Sequence, residues 1–190
     1  MTQPPGALHQ ISMSYSVEGD RLLMRVSTSD KNEFHFLLTR RFVKVLWPAL
    51  MTVIDQEDAT TKQSLMPAAR KAVTAMQHLE AVKAADFTQP HDDDTKTLTK
   101  EPLLVIGGSV HPGKKGLTGI TLKTKDKRQG AVTAATGKQT GAEIKISLNK
   151  NLLHALCRLL IETTMKAGWD LGMAVGDAAV MAPEDKAQIH

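Results

Sequence analysis

The stretch FHFLLTRRFVKVLWPALMTVI, residues 34–54, changes its hydrophobic period partway along. Phe34, Phe36 and Leu38 alternate, as the buried face of a strand does. From there Phe42, Val43, Leu46, Leu50 and Ile54 recur at helical spacing. Thr39 stands at the switch and has a hydroxyl able to cap the first turn. Pro48 falls inside the stripe and is expected to kink or locally break the helix, because it has no N–H to donate.

The same pattern of residue types returns in IKISLNKNLLHALCRLLIETT, residues 144–164, at a constant offset. Ile144, Ile146 and Leu148 take the strand positions and Asn149 the cap. Leu152, Leu153, Leu156 and Leu160 take the stripe. The reading is an internal duplication, or convergence on one geometry, giving two strand-into-helix units related by an approximate twofold.

Outward from the first unit, ISMSYSV (11–17) and RLLMRVS (21–27) alternate as strands, with EGD and DKN as the turns between. Residues 62–86 are alanine-rich and predict an extra helix starting near Ser64. FTQPHDDDTKTLTKEP (87–102) is polar and bounded by prolines, a linker pattern. In the second half LLVIGGSV, GLTGITLKT, AVTAAT and AEIKISL predict four strands, separated by the turn signals HPGKKG, KDKRQG and GKQTG. Gly168 can stop the last helix.

The expected fold is α+β. Two units, β-β-β-α-α and β-β-β-β-α, share one core with the helices on one side of the sheet. The expected organisation is a first unit over 1–88, an acidic linker over 89–102, a second unit over 103–171 and a loosely held tail over 172–190.

Composition restricts the function classes. The 190 residues are 42% hydrophobic and 23% charged, an ordinary globular balance. The opening MTQPPGALHQ has no signal-peptide pattern, and no apolar run reaches the roughly 18 residues of a membrane span. A single cysteine, Cys157, cannot form an internal disulfide. No membrane partner and a cytoplasmic location are the expectations.

The net charge of +4 hides an asymmetry. Positions 102–150 hold Lys114, Lys115, Lys123, Lys125, Lys127, Arg128, Lys138, Lys145 and Lys150 against only Asp126 and Glu143. A local field of that sign suits a polyanion.

Three motifs invite chemistry, and each has a plainer reading. GSVHPGKK (108–115) resembles the phosphate loop of P-loop nucleotidases. Lys115, however, takes the place of the magnesium-binding hydroxyl, and GLTGITLKT reads as strand where that loop needs a helix. A hairpin turn is expected over 107–116. HDDD (91–94) is an acidic linker whose adjacent carboxylates match no cation loop. His154 and Cys157 share a helix face, but two further zinc ligands are missing, and Cys157 between leucines has no evident base. No catalytic residue, metal ligand or cofactor is expected, and the chain reads as non-enzymatic.

If the apolar strand positions face the helices, Ser12, Ser14, Ser16, Arg21, Arg25, His35, Lys123, Lys125 and Lys145 face outward, diluted by Leu23 and Leu37. Lys114, Lys115, Lys127 and Arg128 would rim that face from the hairpins. Repeated sheet-plus-helix units with an open basic face resemble the general plan of Whirly-type and PUR-type single-strand nucleic-acid binders. That resemblance implies a DNA or RNA partner, although two Trp, one Tyr and four Phe are few for base stacking. The alternative is a protein-interaction or assembly module, homo-oligomeric or with a protein partner, docking through the alanine-rich helix and the tail.

Overall fold

Period-two and period-3.6 segments separate in space as their spacing requires. The computed structural model describes residues 8–56, 64–84, 95–98, 101–113, 116–125 and 143–176. Among these, the strands are β1 (Leu8–Ser16), β2 (Arg21–Thr28), β3 (Asn32–Thr39), β4 (Lys96–Thr97), β5 (Leu103–Pro112), β6 (Thr118–Thr124) and β7 (Glu143–Leu148). The helices are α1 (Arg40–Gln56), α2 (Pro67–Ala84) and α3 (Lys150–Lys166). Among the described residues the fold is α+β, a mixed sheet of seven strands with three helices.

The sheet runs β1-β2-β3-β5-β6-β7, and β4 also pairs with β3. Two antiparallel meanders, β1-β2-β3 and β5-β6-β7, meet at a short parallel seam. Among the described residues, Phe36↔Leu103 and Leu37↔Leu104 are the pairs across it. β4 uses the same edge of β3 one step earlier, at Asn32↔Lys96 and Glu33↔Thr97. The expected linker therefore holds a strand. Its backbone sets it there, with Lys96 N–H donating to Lys31 O at 2.7 Å and Leu98 N–H donating to Glu33 O at 2.9 Å.

Both strand-to-helix switches form. The N–H of Phe42 donates to Thr39 Oγ1 at 3.1 Å, and that of Leu152 donates to Asn149 Oδ1 at 2.9 Å. α1 continues through Pro48 as one helix, so the expected break does not occur. The extra helix begins at Pro67, not at Ser64. Proline suits the first helical position, where an N–H would have no intrahelical acceptor. The AVTAAT strand lies outside the described residues.

One core joins the halves. Leu22, Met24 and Val26 of β2, Phe36 and Leu38 of β3, and Leu103 and Val105 of β5 pack with Ile120 and Leu122 of β6. The stripes of α1 and α3 complete the cluster, α1 lying along β5 and α3 along β1. The helix of the second half thus covers the first strand of the chain.

The chain after Leu171 is held further than its composition predicts. Val175 is fully buried in the core cluster, and Gly176 presses against α2. A Cβ at Gly176 would stand 2.6 Å from the nitrogen of Ala75, and φ there is +71°. The small residues that read as looseness are what permit the close approach.

α2 packs on α3 through a buried contact. Nδ1 of His78 lies 2.9 Å from Nδ1 of His154. Among the described residues no helix is long and apolar enough to cross a membrane.

Candidate nucleic-acid interface

The alternation of β1, β2 and β3 places Ser12, Arg25 and His35 in one row across the outward face, and Ser16, Arg21 and Thr39 in another. Ser14, Leu23 and Leu37 lie between them. In the other meander Gly107, Lys123 and Glu143 form a row beside Ser109, Thr121 and Lys145. The inward rows belong to the core, so helices cover the opposite side and these rows face away from them. Lys123, Lys125 and Lys145 are exposed and Arg21 is half-buried. Lys114, Lys115, Lys127 and Arg128 lie outside the described residues.

Two carboxylates left out of the outward positions stand on the same face. Glu33 is two residues before His35 and so shares its direction, yet it is only 1% exposed. Arg25 Nε donates to Glu33 Oε1 at 2.8 Å, and His35 Nε2 meets the same oxygen. Thr95 Oγ1 donates to Oε2 at 2.6 Å. A buried carboxylate needs such partners. Arg25 and His35 are therefore committed to a structural cluster that also tethers the segment leading into β4.

Across β6 and β7, Lys123 Nζ lies 3.3 Å from Glu143 Oε1. That pair is exposed, and its mutual attraction is weak in water. The outward face is basic, but less uniformly than the nine positions taken alone imply. The alternation held a signal for both glutamates. Glu33 lies two residues before His35 on one strand and Glu143 two before Lys145 on another, so each shares an outward direction.

A second basic group gathers where β3 enters α1. Thr39 pairs with Arg21, and Arg40 and Arg41 follow in the first turn of α1, which contains no acidic residue. Helix N-termini favour anions, so paired arginines there add to the positive dipole end instead of neutralising it. Sequence periodicity marked Thr39 as a cap and passed over its two neighbours.

Nearby, Asp20 accepts from Trp169 Nε1 at 2.7 Å and from Tyr15 OH at 2.9 Å. These hydrogen bonds, Trp169 foremost, hold its carboxyl below the usual range, and the charge of Arg40 adds to them. The bond to Asp20 in turn raises Tyr15.

The GSVHPGKK segment has strand on both sides. β5 runs through His111–Pro112, Gly113 N–H donates to Leu117 O at 2.6 Å, and Thr118–Thr124 is β6. No helix N-terminus follows to face a phosphate, as a P-loop requires. Among the described residues no three of His, Cys, Asp or Glu gather as a metal site, and Cys157 is buried in the core. What the outward face can do chemically is hold anionic oxygens with guanidinium, ammonium and hydroxyl groups.

No family model, no curated protein and no solved structure matches this chain.

Proposed function

We propose that the protein is a non-enzymatic binder of nucleic acid, holding single-stranded DNA or RNA through its phosphates. One observation carries the reading. Arg21 and Lys145 stand with Ser14, Ser16 and Ser147 on sheet rows that point away from the helices, and the exposed Lys125 follows directly on the end of β6. The excess of lysine and arginine over 102–150 adds a field of the same sign. Arg25, His35 and Lys123 contribute less, because Glu33 and Glu143 engage them.

Phosphate contacts release counterions, so log affinity falls linearly with log salt, by about 0.7 per contact for single strands. With about three contacts, affinity for an oligonucleotide drops roughly twentyfold between about 50 and 200 mM salt. Lys125→Ala with Lys145→Ala weakens all sequences alike and makes the slope shallower by about 1.4. Lys123→Ala alone leaves the slope nearly unchanged, since that lysine already has a carboxylate. An assembly module gives another outcome: no oligonucleotide binding at 50 mM salt, with a native mass indifferent to both variants. That result would remove the nucleic-acid reading.

A further inference from the structure

Among the described residues, the two meanders pair backbone to backbone at Phe36↔Leu103 and Leu37↔Leu104. β3 ends at Thr39 and its chain turns into α1, whereas β5 continues to Pro112. On its far edge β5 is paired with β6 from Val105 to Pro112. On its near edge, among the described residues, no strand pairs with it past Leu104. An unpaired strand edge offers a row of N–H and C=O groups, and an extended chain satisfies them by pairing as a further strand.

That edge is accessible. Between α1 and β5 lies a groove of about 570 Å³, with Val45 and Ala49 on the helix side and Ile106 and Val110 on the strand side. Ile106 sits at a β-bulge between Val105 and Gly107, outside the register with β6. Ile106 is 61% exposed and Val45 68% exposed. Gly107 keeps the floor low, because a Cβ there would meet nothing within 4 Å. Among the described residues, Arg41 is the one charged side chain lining the groove.

From the open edge, the apolar walls and the guanidinium of Arg41 we infer that this groove docks an extended peptide segment of a partner protein. The segment adds as a strand to β5, places alternate apolar side chains between Val45 and Ile106, and sets a carboxylate against Arg41. The edge from Val105 to Val110 spans roughly 20 Å, at about 3.3 Å per residue, which suits about six peptide residues. The inference is independent of the nucleic-acid reading, which concerns the outward rows.

The test is fluorescence polarisation of the full chain with a fluorescein-labelled hexapeptide of alternating valine and threonine ending in glutamate. Saturable binding is expected. N-methylation of alternate peptide amides should weaken it at least tenfold, since it removes the ladder hydrogen bonds without touching the protein. Arg41→Glu, at an exposed position, should weaken the glutamate peptide several-fold and leave its glutamine counterpart unaffected.

Three results would overturn the inference. The first is no saturable binding at millimolar peptide. The second is equal binding of the N-methylated peptide, which would mean that the groove takes apolar groups without strand pairing. The third is a native dimer that Ile106→Lys dissociates, which would mean that a second copy fills the groove.

Discussion

At the scale of residues, His78 and His154 share one buried contact. The contact needs one ring nitrogen to donate and the other to accept, and a proton added to the acceptor leaves two donors face to face. Burial, then His154, then the charge of Arg158, push His78 down to about 4 from 6.5. Between those values the unfolded chain binds the proton and the folded chain does not. Stability therefore falls as pH drops from 6.5 toward 4, by at most about 1.4 kcal/mol per unit for this one proton. The urea midpoint is expected to be lower at pH 5 than at pH 7, and His78→Gln should shrink that difference. An equal fall in both proteins would show that the pair does not titrate this way. The pair was not legible in the sequence: His154 read only as the neighbour of Cys157, and His78 lies in an alanine-rich helix that gives no sign of what it faces. Glu33 is the reverse case, a residue whose direction was readable but whose burial depends on Thr95 arriving from the linker.

At the scale of elements, legibility followed periodicity. The strand-into-helix switch at Thr39 and its counterpart at Asn149 were readable because each changes period at a capping residue. β4 was not, since two residues of parallel pairing held by backbone hydrogen bonds leave no pattern in DTKTLTK. Pro48 was read too strongly. A proline at that point removes one hydrogen bond, to Lys44 O, and crowds the turn before it. The stripe of Phe42, Val43, Leu46, Leu50, Val53 and Ile54 buried on both sides of it holds the helix together regardless. Tertiary packing has overridden local preference, and the local cost remains in the folded protein. Pro48 is exposed, so its replacement disturbs no core contact. Pro48→Ala is accordingly expected to stabilise by roughly 1–3 kcal/mol, seen as a higher urea midpoint. An unchanged or lower midpoint would mean that the proline is accommodated without strain.

At the scale of the whole molecule, the question is whether two pattern-matched halves behave as one body. Their parallel seam is only two residue pairs long, and such long-range pairing has no local signature in the sequence. What unites the halves is side-chain packing: Phe36 against Leu103, α1 of the first half along β5, and α3 of the second half over β1. Neither meander can cover its own apolar rows without a helix from the other half or the strand beside the seam. Unfolding should therefore be a single all-or-none step, as in a small one-core domain. The chain holds a reporter in each half, with Trp47 in α1 packed at the margin of the core and Trp169 buried just after α3. Trp47→Phe leaves fluorescence to report the end of α3, where Trp169 bonds Asp20, and Trp169→Phe leaves it to report α1. In each single-tryptophan protein the urea transition followed by fluorescence should coincide with that followed by far-ultraviolet circular dichroism. The comparison is internal to each variant, so any loss of stability from the substitution cancels. A fluorescence midpoint displaced from the dichroism midpoint in either protein would mean that the halves unfold separately. The short seam, rather than the shared core, would then set how the molecule comes apart.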